Sequence, residues 1–311
     1  MSETFKTPLK VKKGAKLRST IEIPASPYLK QIGFGTGVAV YELERSPISN
    51  KAQSPWAIKK LIKRNKKNEE LNERLIGEAN VLKKLNHKNV VGFRAFLRGS
   101  DGRNVLAMEE CSSCLGDMIE QRPESKLPPY ESATIEKVAQ DVACALDYLH
   151  NTALILHCDV KSYNVLVKGD FAICKLCDFG VCLPLKPNGL LDETKAGEDA
   201  AFIGTPAWSA PEILSYPQVI TAKADIYAYG LIIWEMIALM PPADEEILDN
   251  LDESMDTSVE ISSNRMRPPL PDVDLTEDYT FVLEIYFCCT HEILQERPSA
   301  ANLITLFNNK I

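Results

Sequence analysis

Hydrophobic and polar positions change period several times along the chain, and each change marks an element. Two short strand-like stretches, Tyr28 to Ile32 and Val38 to Leu43, flank Gly33-Phe34-Gly35-Thr36-Gly37, which predicts a hairpin with a glycine-rich tip. Trp56-Ala57-Ile58-Lys59 reads as a further strand, with Ala57 and Lys59 on one face. From Asn68 to Leu85 the period lengthens. Leu71, Leu75, Ala79, Leu82 and Leu85 form the stripe of an amphipathic helix. Glu78 falls on that stripe, where a carboxylate is costly unless paired. Lys59 is its natural partner. Asn164-Val165-Leu166-Val167 and Ile173 to Cys177 read as strands around the turn Lys168-Gly169-Asp170. Such a hairpin brings Asn164 and Asp178 side by side at one end. Ile135 to His150, apolar at 135, 138, 139, 142, 146 and 149, predicts a core helix, and Ala224 to Met240 a second.

Composition narrows the class. A chain of 311 residues suits one bilobal domain. The net charge of −8 argues against a nucleic-acid partner held by phosphate contacts. No apolar signal core opens the chain. Its longest apolar run, Gly230 to Met240, is interrupted at Trp234-Glu235 and too short to span a bilayer. The expectation is a soluble protein of the cytoplasm or nucleus, with no membrane partner. Nine cysteines include two C-x-x-C pairs, Cys111/Cys114 and Cys174/Cys177. Cys174 and Cys177, read as sharing a strand, would point to opposite faces, so free thiols are expected rather than zinc. Residues 1–27 read as a polar, flexible tail with a lysine cluster at 6, 10, 12, 13 and 16. Between Ala243 and Glu260 lie eight acidic residues, read as a solvated loop, with docking of a basic partner as the alternative.

The chemistry concentrates in His157-Cys158-Asp159-Val160-Lys161-Ser162-Tyr163-Asn164 and in Asp178-Phe179-Gly180. Asn164 and Asp178 offer an amide and a carboxylate, oxygen ligands of the kind Mg²⁺ takes beside phosphate oxygens. Asp159 can accept a proton from a hydroxyl nucleophile. Together these outline a phosphoryl-transfer site.

These motifs, with Gly33 to Val40, Trp56 to Lys59, and Gly204-Thr205-Pro206-Ala207-Trp208-Ser209-Ala210-Pro211-Glu212, resemble those of the eukaryotic-type protein kinases over residues 28–308. The resemblance implies an α+β, bilobal protein-kinase fold. Its N-lobe would span 28–108, its hinge 109–114 and its C-lobe 115–308. It implies an ATP- and Mg²⁺-dependent serine/threonine enzyme, similar to MAP kinase kinases, linked to mitosis and stress signalling and acting on protein substrates that include MAP kinases. By the same resemblance Asp159 is the acid/base and Lys161 neutralises the transferred group. Lys59 pairs with Glu78, and Asn164 and Asp178 hold the metal. ATP would be held by Ile32, Gly33, Phe34, Gly35, Thr36, Gly37, Val40, Ala57 and Lys59, by the gatekeeper Met108, and by Glu109 and Cys111 of the hinge. Cys177 would line the nucleotide cleft. Thr205 contacts the catalytic loop, Asp225 braces its backbone and Arg297 pairs with Glu212, all structurally. Lys161, two places after Asp159, favours Ser/Thr over Tyr specificity, and dual specificity is the variant reading.

Departures from the pattern matter. The third glycine of the phosphate loop is Val38, with Gly37 one place early. Cys158 replaces the arginine that grips an activation-loop phosphate in many kinases, so weak dependence on Thr194 phosphorylation is expected. Asp192, Glu193, Glu198 and Asp199, or the cationic tail, are the alternatives for ordering that loop. A pseudokinase scaffold is the rival reading. A small-molecule kinase lacks support, because the protein-substrate segment 204–212 is intact. Thr7-Pro8-Leu9-Lys10 fits the preference of cyclin-dependent kinases, against a chance pairing among four Ser/Thr-Pro pairs before residue 56. Asn309 stands where common PDZ ligands carry Ser or Thr, which speaks against PDZ binding.

Overall fold

The structure is a computed structural model and describes residues 29–35, 37–44, 55–62, 68–99, 102–197, 200–242 and 267–310. Thr7 and the lysine cluster, Tyr28, Thr36, the acidic stretch 243–260, Glu198, Asp199 and Ile311 lie outside the described residues. The described residues fall into two compact units. The first holds the described residues up to Leu85 with Gly92–Cys111, and the second holds Asn86–Val91 with the described residues from Ser112 on.

The first unit is a five-stranded antiparallel sheet with one helix. Strands β1 (Leu29–Gly35), β2 (Val38–Leu43) and β3 (Trp56–Leu61), helix α1 (Asn68–Leu82), and strands β4 (Phe93–Arg98) and β5 (Asn104–Glu109) follow in chain order. The sheet order is β1-β2-β3-β5-β4. Strand β3 is central and buried on both faces. Trp56 and Ile58 join Leu43, Val105 and Ala107 in one apolar cluster. Ala57, Lys59 and Leu61 project to the other side, as the two-residue period requires. The expected helix stripe is buried at Leu75, Ala79, Leu82 and Leu85. The helix itself stops at Leu82, and Leu85 follows in a turn.

The hairpin tip explains the displaced glycine. Gly35 pairs with Val38, which places Gly37 in the turn between them. Gly37 has φ +78°, the left-handed region that glycine enters without steric cost. Val38 pairs with Leu61 in the sheet, so a glycine there would serve no turn.

The second unit opens with β6 (Ser113–Cys114), α2 (Leu115–Glu124) and α3 (Ser132–Asp147). Then come β7 (Ile155–Leu156), β8 (Val165–Lys168), β9 (Ile173–Leu176) and β10 (Leu183–Pro184). It closes with α4 (Glu193–Ala196), α5 (Pro211–Leu214), α6 (Lys223–Ala238), α7 (Thr280–Cys289) and α8 (Ala300–Asn309). Helix α6 is buried from Ala224 through Ile237, the reason its sequence is apolar all round. It packs on α3 and α7, and α3 packs on α8. The expected helix 135–150 starts earlier, at Ser132, and passes into a wider π-type turn over Tyr148–Ala153. The β8/β9 hairpin forms as expected, with Gly169 at φ +65° in its turn. Strand β9 ends at Leu176, so Cys177 lies past it rather than on one strand with Cys174.

The change of unit at Cys111 falls inside the expected hinge. Asn86–Val91, however, goes with the second unit rather than with residues 28–108. The Asn89 side chain donates to the Cys174 carbonyl at 2.9 Å. Leu176 and Val91 amides donate to the Asn89 and Leu176 carbonyls at 2.8 and 3.0 Å. These bonds tie the segment to β9 through an isolated parallel bridge, Val90 to Leu176.

Candidate active site

In the first unit the strand register aligns the expected ligand residues in two neighbouring rows. Gly33 faces Val40, and Val40 faces Lys59. Ala57 faces Met108. Lys59 Nζ lies 2.8 Å from Glu78 Oε2, and both side chains are less than a tenth exposed. The pairing satisfies the carboxylate that α1 buries. Ile32 sits at a bulge between the paired residues Gln31 and Gly33 and is exposed. Phe34 and Gly35 complete β1. The Glu109 amide donates to the Gly92 carbonyl at 2.7 Å, so that N–H is committed to the unit's own backbone. Cys111 is buried at the unit's end.

In the second unit Asp159 is the centre of a connected cluster. Its Oδ2 accepts from Lys161 Nζ at 2.9 Å and Asn164 Nδ2 at 2.8 Å. Its Oδ1 accepts from Thr205 Oγ1 at 2.6 Å. Lys161 also donates to Thr205 Oγ1 at 2.6 Å. Asn164 Nδ2 donates a second time, to the Asp159 carbonyl at 2.7 Å. Those two bonds use the amide nitrogen and orient the oxygen Oδ1 as the end suited to a hard cation. The Cys177 amide donates to the Asn164 carbonyl at 2.9 Å, so the hairpin end holds Asn164 beside the Asp178 segment. Asp178 has φ +63° and accepts from the Gly180 amide at 3.4 Å. An amide oxygen and a carboxylate at one hairpin end fit a Mg²⁺ that completes its shell with phosphate and water oxygens.

Buried polar groups support the backbone around this cluster. His157 is fully buried and stands edge-on to buried Phe179 at 5.1 Å. Its Nδ1 accepts from the Asp159 amide at 3.2 Å, and its Nε2 donates to the Cys177 carbonyl at 2.9 Å. It thus joins the backbones before Asp159 and before Asp178. Asp225, at the start of α6, accepts from the His157 and Cys158 amides at 2.8 and 3.0 Å and bonds His150 Nε2 at 2.8 Å. Those bonds hold Cys158 at φ +67°, a conformation that non-glycine residues keep only when their surroundings fix it. Burial, followed by the Asp225 charge, pushes the Cys158 thiol well up. Arg297 Nη1 and Nη2 donate to Glu212 at 2.6 and 2.9 Å, a two-pronged pair.

Gly204 is required by close approach. A Cβ there would stand 2.5 Å from the Cys158 carbonyl oxygen, a backbone atom that cannot swing aside. Sequence reasoning missed Glu235. Its Oε1 accepts from Ser162 Oγ at 2.6 Å and its Oε2 from Trp208 Nε1 at 2.8 Å. Burial raises its carboxyl to about 7, against the lowering effect of Ser162, Trp208 and Lys161. The available signal was an acid inside a wholly apolar helix pattern.

A family model described as protein kinase domain matches residues 27–306. The chain is 42% identical to the lymphokine-activated killer T-cell-originated protein kinase of Homo sapiens, over 96% of each protein. It is 32% identical to the serine/threonine-protein kinase pakG of Dictyostelium discoideum, over 75% of this chain and 18% of that one. It is 29% identical to the serine/threonine-protein kinase Tao of Drosophila melanogaster, over 89% of this chain and 24% of that one. With the Lys59–Glu78 pair in one unit and the Asp159 cluster in the other, the chain belongs to the protein kinase family.

Proposed function

We propose that this chain is an active, ATP-dependent serine/threonine kinase of the MAP-kinase-kinase-like kind, transferring the γ-phosphate of ATP to protein hydroxyls. The observation that carries it is the bonding of Asp159, whose carboxylate is held by Lys161, Thr205 and Asn164. A carboxylate so fixed is oriented to accept the proton of an incoming hydroxyl. Lys161 supplies a cation for the transferred group, and Lys59, steadied by Glu78, supplies another for the phosphates. Asn164 and Asp178 would hold Mg²⁺, which when bound neutralises charge on phosphate oxygens. Residues Ile32 to Val40 would cover the phosphates, and Ala57, Met108, Glu109 and Cys111 would contact adenine.

Against a silent scaffold stand the paired Lys59 and the satisfied Asp159. Cys158 removes a regulatory cation, not one of the groups that act on phosphate. MAP kinases are the proposed acceptors, Thr7 a proposed site for a proline-directed kinase, and the cytoplasm or nucleus the proposed place of action. No helix among the described residues is long and apolar enough to cross a membrane. Phosphoamino-acid analysis of a protein acceptor labelled from γ-labelled ATP tests the specificity. Phosphoserine and phosphothreonine are expected. Label on tyrosine alone contradicts the reading.

A further inference from the structure

The glycine that the phosphate loop carries one place early has a neighbour to which the kinase reading gives no task. Gly37 is held from two sides within the first unit. Its carbonyl accepts from the Ile62 amide at 3.0 Å, which ties the loop's exit to the end of β3. On the other side stands Leu71, in the first turn of α1. A Cβ added to Gly37 would lie 2.4 Å from Leu71 Cδ1 and 3.7 Å from its Cγ, so the leucine methyl fills the space a side chain would need. Leu71 opens the apolar stripe of α1 but is only half-buried, unlike Leu75, Ala79, Leu82 and Leu85. Its neighbour Asn72 accepts from Asn104 Nδ2 of β5 at 2.9 Å, which pins this turn of the helix to the sheet. Two turns further along the same face, α1 carries Glu78, bonded to Lys59. Lys59 faces Val40 of the loop, and Val40 faces Gly33. One helix therefore touches the loop's turn through Leu71 and the Lys59 ammonium through Glu78.

We propose that Leu71 is a positioning residue for ATP: it seats Gly37 on α1, and so sets how closely the loop Gly33 to Val40 covers the phosphates. The inference rests on the kinase reading and adds to it a residue that touches neither substrate. Glycine at 37 is then required twice, by its φ of +78° and by the leucine that lies against it. The seat also gives the loop and Lys59 one common support. A shift of α1 that parts Glu78 from Lys59 carries Leu71 with it and unseats the loop. Chemistry predicts which replacement survives. Dispersion contact is lost within about an ångström of separation. Alanine and valine have no δ-carbon and stop short of Gly37. A methionine has the reach of leucine and bends to fit an irregular gap.

The test measures steady-state kinetics with Mg²⁺, ATP and a degenerate Ser/Thr peptide mixture for L71A, L71M, G37A and the double variant G37A/L71A, with adenosine as a competitive inhibitor. Adenosine carries the base and no phosphate, so a cover over the phosphates does not act on it. L71A is expected to raise the ATP KM about fivefold and to leave the adenosine inhibition constant and the peptide KM within about twofold. L71M is expected to stay within about twofold of the unaltered chain on all three. G37A drives a methyl against Leu71 at a positive φ and is expected to raise the ATP KM about tenfold. In the double variant the shortened side chain makes room for that methyl. Its ATP KM is therefore expected at or below that of G37A, rather than at the product of the two single effects. If L71A does not fold, L71V, which ends at its γ-carbons, takes its place with the same expectations. Effects that multiply in the double variant overturn the seat. So does an ATP KM that does not move in L71A, or an adenosine constant that rises in step with it. An unaltered chain that transfers no phosphate overturns the kinase reading and this inference together, whereas an active chain whose ATP KM is unmoved by L71A overturns this inference alone.

Discussion

Lys59 and Glu78 show what a single pair settles. The expectation of a partner for Glu78 came from one fact, an acid on the apolar stripe of α1, and the two side chains meet at 2.8 Å. Burial makes the pair a stability element as well as a proposed phosphate contact. K59M strands a carboxylate away from water, and the expected cost is about 3 kcal/mol by urea unfolding. The K59M/E78L variant, which removes both charges, should recover most of it. A loss below about 0.5 kcal/mol for K59M would contradict the burial argument. Thr205, Asp225, Arg297 and Glu212 were legible only through the family resemblance, which implies their partners. Glu235 and Ser162 were not. Their meeting depends on the rotation of α6 about its own axis, and a helix apolar on all sides gives no period from which to read it.

At the scale of elements, helices and strands followed the periods, while their ends followed local chemistry. Leu239 ends the α6 region at φ +57°, two residues after the last buried position, Ile237. Asn86–Val91 carries too few residues for a period, so its pairing with β9 could not be read ahead. The segment from Leu183 to Ala222 bears most directly on regulation. Strand β10 pairs with β7, Leu185 bridges Leu191, and Leu190 bridges Thr221. Leu156, Cys158 and Leu185 form a buried cluster covered by Val181, Leu183, Phe202, Ile220 and Ala222. Apolar contacts thus stand around the position where an arginine would await a phosphate. Thr194 Oγ1 donates to Asp192 Oδ1 at 2.6 Å, and Lys195 Nζ lies 2.8 Å from Asp192. Lys195, then Thr194, hold the Asp192 carboxyl below its ordinary range. These local bonds are the basis of an expectation that phosphate on Thr194 matters little. The kcat of T194A should stay within about threefold of the unaltered chain. A hundredfold fall would show that the phosphate does order the loop.

For the whole molecule, one buried acid should leave a mark on stability against pH. Glu235 has its carboxyl raised from 4.5 to about 7 in the folded chain. The folded state therefore holds a proton that the unfolded state has released, between those two values. The resulting stabilisation is complete below pH 4.5 and is lost as pH rises through 7. Relative to E235Q, which does not titrate, the unaltered chain should lose about 2 kcal/mol between pH 5.5 and 8.5. A difference that is flat across this range, measured by chemical denaturation, would refute the assignment. The central claim is that the chain transfers phosphate and needs both Lys59 and Asp159 to do so. Single-turnover transfer from γ-labelled ATP, with Mg²⁺ and a protein acceptor, tests it most directly in the unaltered chain, D159N and K59M. The account predicts transfer by the unaltered chain and a loss of at least about a thousandfold in each variant. An unaltered chain that transfers nothing, or a D159N variant that transfers at an undiminished rate, would contradict it.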